Sequence, residues 1–190
     1  MGWTEASSDE DLMLAYRDGD AGAFDVLYAR HKGGVFRYLL RQCGNRGLAE
    51  ELFQDVWMNL VRARAGYTVQ AKFTTYIYRV AHNRLIDHYR AHSNASLVSF
   101  DDDCPEAEAV PAARADQPEE AAERREQVAR LLELIGELPD AQREAFLLHE
   151  EGGMGVDEIA GATGVNRETA KSRLRYALNK LRAGMRAAGH

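Results

Sequence analysis

The 190-residue chain is 45% hydrophobic and 28% charged, an ordinary balance for a globular protein with one moderate core or two small ones. A net charge of −6 argues against a uniformly basic nucleic-acid binder, yet the charge is segregated. Ten acids and three arginines lie between Ser93 and Glu126, whereas seven basic residues and one Glu lie from Arg167 onward. Cys43 and Cys104 belong to no CxxC pair, which argues against a metal knuckle or a disulfide framework. His88 and His92 stand at i,i+4, but no third ligand is near, so neither metal nor cofactor is expected. The acidic, polar start MGWTEASSDEDL and the lack of a long apolar run predict no signal peptide and no membrane insertion, hence a cytoplasmic protein.

Apolar residues recur at three- and four-residue spacings throughout, so the expected fold class is all-α. Asp9 is the predicted cap of a short helix over Glu10 to Arg17, ended by Gly19. A second helix starts near Asp20, is open to interruption at Gly33-Gly34, and stops at Gly44-Asn45. The third, LAEELFQDVWMNLVRAR, runs from Leu48 to about Arg64 with a stripe of Leu48, Leu52, Val56 and Leu60. Its other side, with Glu50, Glu51, Gln54, Asp55, Met58 and Asn59, suits either plain solvent or a basic partner surface.

After the connector from Ala65 to Lys72, the stretch from Phe73 to His92 winds into a helix of two faces. Phe73, Ile77, Val80, Ala81 and Leu85 form the core arc. The opposite arc carries Thr75, Arg79, His82, Ile86, Tyr89 and Arg90, bordered by Tyr78 and Asn83. Arginines follow a phosphate backbone, and aromatic faces stack on unpaired bases at about 1–3 kcal/mol per base. An amphipathic helix with surplus surface tyrosines is the other reading. Arg84 falls inside the apolar arc and is expected to pair with Asp87. Tyr67 and Thr68 of the connector lie beside this face.

Residues 93–118, with Asp101 to Asp103 and three of the four prolines, read as an acidic flexible linker. It is either a solvated tether or a segment threaded through a basic channel. Helical pattern resumes near Glu119, stops at Gly136, and restarts after Pro139. VDEIAGATGVNRETAKSRLRYALNKLR then places a short helix, a tight turn at Gly164 and a longer helix capped by Asn166. Leu174, Leu178, Leu181 and Met185 make the buried seam. Glu168, Thr169, Ser172, Arg175, Tyr176 and Asn179 face away, flanked by Lys171 and Arg173. This is a helix-turn-helix with a basic reading helix suited to the major groove.

Together these segments resemble the extracytoplasmic-function sigma factors of bacterial RNA polymerase, over nearly the whole chain. GDAGAFDVLYARH, AEELFQDVWMNLVRA and FTTYIYRVAHNRLIDHYR look like the family's first conserved domain, and ELPDAQREAFLL with DEIAGATGVNRETAKSRLRYALNKLR like its second. The resemblance implies two small helical domains, 1–92 and 119–190, joined by the linker, and no catalytic activity of the chain's own. It implies core polymerase contacts at Glu51, Gln54, Asp55, Trp57 and Met58. For the −10 element it implies capture and opening by Tyr67, Thr75, Arg79, His82, Asn83, Tyr89 and Arg90. For the −35 element it implies reading by Arg167, Thr169, Lys171, Ser172, Arg173, Arg175 and Tyr176. Core RNA polymerase, promoter DNA and an anti-sigma factor are the implied partners. Tyr76 stands where the family usually has Trp, Gly155 where it often has a Ser cap, and Tyr176 where an Arg is common. The competing reading is a stand-alone dimeric helix-turn-helix regulator, which leaves the aromatic and basic face of Phe73 to His92 without a purpose.

Overall fold

The computed structural model describes residue 3, residues 6–93 and residues 118–188. The acidic linker, including Asp101 to Asp103, lies outside the described residues apart from its ends. Among the described residues the fold is all-α: α1 (Asp9–Arg17), α2 (Ala21–Cys43), α3 (Arg46–Ala63), a 3-10 turn (Arg64–Gly66), α4 (Phe73–Ser93), α5 (Pro118–Gly136), α6 (Asp140–Gly152), α7 (Val156–Thr163) and α8 (Arg167–Ala188). Helices α1–α4 form one domain and α5–α8 a second, and α6 and α7 of the second pack on α2 and α4 of the first. None of the described helices is long and apolar enough to cross a membrane.

The local signals place most helix ends. Asp20 caps α2 through the Gly22 and Ala23 N–H groups, and Gly44 closes it in the left-handed conformation. Asn45 then caps α3 by accepting from the Leu48 N–H at 2.9 Å. One cap differs from expectation. Ser8, not Asp9, accepts the first-turn N–H, from Asp11. Asp9 is the first residue of α1 and its carboxylate is taken by α2 instead, 2.7 Å from Arg30 and 2.7 Å from His31.

Gly33-Gly34 does not interrupt α2, which runs unbroken for 23 residues. A glycine inside a helix costs roughly 0.5–1 kcal/mol relative to Ala. At Gly34 that cost permits a close approach: a Cβ there would lie 2.6 Å from the Tyr78 hydroxyl and 3.3 Å from the Glu151 carbonyl. Leu27, Val35, Tyr38 and Leu39 of α2, Leu52, Val56 and Leu60 of α3 and Phe73, Ile77, Ala81 and Leu85 of α4 form the first core. Leu138, Leu147, Leu148, Ile159, Ala170, Leu174 and Leu181 anchor the second.

Burial pushes the Asp9 carboxyl up, but the His31 and Arg30 contacts outweigh it and hold the group below its ordinary 3.8. A lowered carboxyl stabilises the fold above its unfolded pKa and loses that contribution as pH falls through the folded value. Asp9→Asn is therefore expected to lower urea stability by about 1–2 kcal/mol at pH 7. The gap between variant and wild type should narrow as the titration passes below the ordinary value of 3.8. An equal gap at neutral and strongly acid pH would remove the ionic contribution.

Candidate nucleic-acid interface

Helix α4 presents three sides, not two. Of the predicted core arc, Phe73, Ile77, Ala81 and Leu85 are buried and Val80 is half-buried at its edge. Arg79, Asn83 and Arg90, at i, i+4 and i+11, are exposed, with Tyr89 39% exposed beside them. Thr75, Tyr78 and His82, at i, i+3 and i+7, form a third stripe covered by the second domain. Thr75 is buried, its Oγ1 3.5 Å from Glu158; the Tyr78 hydroxyl donates to the Glu151 carbonyl at 2.8 Å; and His82 Nδ1 donates to Glu144 at 2.5 Å. Burial and then the nearby Glu151 raise the Tyr78 phenol well above its ordinary value. The structure thus separates the expected −10 residues into a solvent-facing group and an interdomain group.

The start of α4 is held by a different helix. Glu10 of α1 accepts the Phe73 N–H at 2.6 Å, one of the donors that a helix start leaves unpaired. Tyr67 is buried, edge-on to Tyr76 at 5.3 Å between ring centres, and its backbone carbonyl accepts from Arg17. Burial, then the charge of Glu10, pushes the Tyr67 phenol up to about 12. The rest of the connector faces solvent, and in it Val69 is 50% exposed.

On α3, Glu51, Gln54 and Met58 are exposed at i, i+3 and i+7, a single outward stripe. Trp57 is not part of it. Its ring is buried among Phe24, Tyr28 and Phe53, at 4.9–6.2 Å between centres. Asp55 lies beside the stripe but is held 2.5 Å from Arg84 of α4. Arg84 reaches its expected partner Asp87 only at 4.0 Å, so its main role is to tie α4 to α3.

In the second domain, Gly164 takes the left-handed conformation (φ 70°) that the turn after α7 requires, and its N–H bonds back to Ala160. Asn166 Oδ1 accepts from the Thr169 N–H at 2.8 Å and starts α8 as expected. Gly155 begins α7 with half of a capping box: the Glu158 carboxylate takes its N–H at 2.9 Å. The buried face of α8 is Ala170, Leu174, Ala177 and Leu181, with Leu178 and Met185 half-buried. Arg167, Lys171, Arg175 and Tyr176 are exposed, whereas Thr169, Ser172 and Arg173 are half-buried. Arg167 is partly engaged, 2.7 Å from Asp157 of α7, and the Arg175 guanidinium lies over the Tyr176 ring at 5.2 Å.

Among the described residues no group of His, Cys, Asp and Glu has the geometry of a metal site. His88 and His92 stack on each other at 4.0 Å. Sequence reasoning missed Glu144, Glu151 and Glu158. Their seven-residue spacing is visible in the chain, but their partners 62 to 114 residues away are not.

A basic, turn-led helix on one domain and a cationic, aromatic helix on the other are the pattern of a two-domain helical DNA-binding protein. Comparison with known proteins makes this specific. Residues 27–95 match the model for sigma-70 region 2 and residues 129–181 the model for sigma-70 region 4. The chain is 33% identical over 178 residues to the ECF RNA polymerase sigma factor RpoE of Cereibacter sphaeroides, covering 92% of this chain and 93% of that protein. Its fold is similar to that of CnrH, solved in complex with the cytosolic domain of CnrY, at a TM-score of 0.66 and 23% identity, over 95% of this chain and 99% of that one. The sigma factor RpoE of Bartonella quintana, solved with the anti-sigma factor NepR, matches at 0.65 and 17%, over 86% and 96%. The chain belongs to the sigma-70 family of RNA polymerase sigma factors, in its ECF group. It is a promoter-specificity subunit, and the stand-alone regulator is not favoured.

The geometry makes Asn166 a point of control for the start of α8. Asn166→Ala should cost about 1 kcal/mol of thermal or urea stability, and Asn166→Asp much less, because the aspartate also accepts the N3 N–H. Equal losses in the two variants would show that the cap bond does not set the start of α8.

Proposed function

We propose that the two exposed cationic surfaces divide the promoter between them. Helix α8 reads the −35 duplex through Lys171, Arg175 and Tyr176, assisted by Arg167, Thr169, Ser172 and Arg173. Helix α4 captures the opened −10 strand through Arg79, Asn83, Tyr89 and Arg90, joined by Thr75 and His82 once the second domain withdraws. Tyr67 supports the connector from beneath. On this reading residues 1–92 form the polymerase-binding and −10 domain and residues 119–190 the −35 domain, with the acidic linker between them. Core RNA polymerase docks on α3 at Glu51, Gln54 and Met58, while Asp55 and Trp57 hold that helix in place from the side and from beneath. The polymerase performs the chemistry, in the cytoplasm, and the chain supplies sequence choice and strand opening without catalysis of its own. An anti-sigma factor is a further partner, as NepR is for the Bartonella quintana protein.

The observation that carries this reading is the outward stripe Arg79–Asn83–Arg90 on a helix whose other two sides are already occupied. Arginines there hold a displaced strand by its phosphates, a contribution that weakens as salt rises. Asn83 offers a donor and an acceptor to a base edge, which offsets part of the few kcal/mol lost on unstacking.

Asn83→Ala and an Arg79→Ala/Arg90→Ala double variant should both form closed polymerase–promoter complexes yet show reduced permanganate reactivity of unpaired thymines on duplex templates. A template mismatched across the −10 region should restore transcription at least in part. Normal opening on duplex DNA in both variants would remove α4 from the melting step.

In α8, an arginine paired to guanine contributes about 1–3 kcal/mol of discrimination, whereas a phosphate contact weakens all sequences alike. Alanine variants of Lys171, Arg173 and Arg175 against a panel of −35 mutants should reveal at least one base reader, with Arg175 favoured because it is exposed and carries the planar fork that pairs with guanine. Uniform losses at all three positions would make α8 a positioning helix only.

A further inference from the structure

Helix α1 lies ahead of the segment that matches sigma-70 region 2, yet it reaches both ends of the connector between α3 and α4. At the near end Arg17 donates from Nη1 to the Tyr67 carbonyl at 3.3 Å. Asp18 orients that guanidinium by accepting from Nε at 2.7 Å and from Nη2 at 3.1 Å. Beside it, the Arg64 guanidinium of the 3-10 turn lies over the Tyr16 ring at 5.0 Å. At the far end the Glu10 carboxylate accepts the Phe73 N–H at 2.6 Å, where α4 begins. Leu12, Met13 and Tyr16 bury α1 in the first core, and Asp9 fastens it to α2 through Arg30 and His31. Between the two clamps Thr68, Val69 and Gln70 stay exposed.

From this we infer that α1 is a strap for the connector, with Glu10 and Arg17 as positioning residues for the selection of the −10 base. Pinned at Tyr67 and again at Phe73, the loop is ordered before DNA arrives. Freedom that is already lost is not lost again on binding, so Thr68 to Gln70 meet an extruded base in one conformation. A loop released at either end would meet several bases in several conformations, and selectivity would fall while binding of the −35 duplex stayed intact. The effect on selectivity rests on the proposed −10 role of α4 and its connector; the strap itself rests on the two hydrogen bonds.

Two measurements test this. Amide hydrogen exchange of the full chain, followed at the Phe73 N–H and through residues 66–72, reports the strap. Holoenzyme reconstituted with core RNA polymerase reports selectivity on templates mismatched across the −10 region, as the ratio of transcript yields between the preferred −10 sequence and its single-base substitutions. Glu10→Ala removes the acceptor, Glu10→Gln keeps an acceptor oxygen without the charge, and Arg17→Ala frees the Tyr67 carbonyl. Circular dichroism selects variants that retain wild-type helicity, and either alanine variant suffices. The Phe73 amide should exchange roughly tenfold faster in Glu10→Ala, the factor that a charge-assisted hydrogen bond represents, and less so in Glu10→Gln. In both alanine variants the selectivity ratio should fall by roughly fivefold or more, since a placed base contact discriminates at least that much. Closed-complex formation should be unchanged, and Glu10→Gln should keep most of the ratio. A role in stability alone would lower all yields together and leave the ratio as it was. Unchanged exchange in the folded alanine variants would overturn the strap. Faster exchange with an unchanged ratio, in a holoenzyme whose wild type does select among −10 sequences, would overturn the link to selectivity. A wild type with no −10 selectivity on these templates would overturn the −10 reading and the selectivity claim with it, while faster exchange in the variants would leave the strap established.

Discussion

The carboxylate of Glu144 is the contact on which the arrangement of the two domains turns. A carboxylate loses hydration on burial and is tolerated only where donors replace the water. Tyr38 from α2 and His82 from α4 supply those donors, so Glu144 brings both helices to one point on α6. Burial first, and the adjacent carboxylate second, raise the Tyr38 phenol well above its ordinary value, which keeps its proton available for donation. Removing one partner of such a buried set typically costs about 3–5 kcal/mol, far more than losing the exposed Lys72–Glu158 pair would. The interface therefore has a fixed register at its centre and loosely held charges at its edge.

That register divides α4 among three tasks. Its apolar arc belongs to the first core, its Thr75–Tyr78–His82 stripe to the other domain, and its Arg79–Asn83–Arg90 stripe to solvent. A helix of 21 residues has room for three such stripes because each needs only one residue per turn. The Asp55–Arg84 bridge and the Glu10 bond to the Phe73 N–H fix its rotation and its start from outside the helix. Both keep the exposed stripe pointing one way.

The second domain shows the opposite economy. Its helix-turn-helix is set almost wholly by neighbours in sequence: Gly164 at the turn, Asn166 at the cap, and Ala170, Leu174, Ala177 and Leu181 on the buried side. The exposed Lys171, Arg175 and Tyr176 of α8 lie on the other side of that seam. Glu144 and Glu151 leave from α6 and Glu158 from α7, so the exposed cationic face and interdomain docking draw on different helices of one small domain.

The sequence by itself determined the helical fold, the start of α2 near Asp20, the cap at Asn166, four of the five core residues of α4 and the helix-turn-helix. All of these follow from spacings within one helix or one turn, where periodicity and capping act over four residues or fewer. It also carried enough family pattern to mark both domains. Only the tertiary structure decided that Gly34 is a point of close approach, that Ser8 replaces Asp9 as a cap, that Arg84 reaches across to Asp55, and that Trp57 is a core ring. Above all, it decided that the Thr75–Tyr78–His82 part of the polar face of α4 is covered. Periodicity places a side chain on an arc, but whether a polar arc meets water depends on what packs against it. Here the covering groups lie 62 to 83 residues further along the chain.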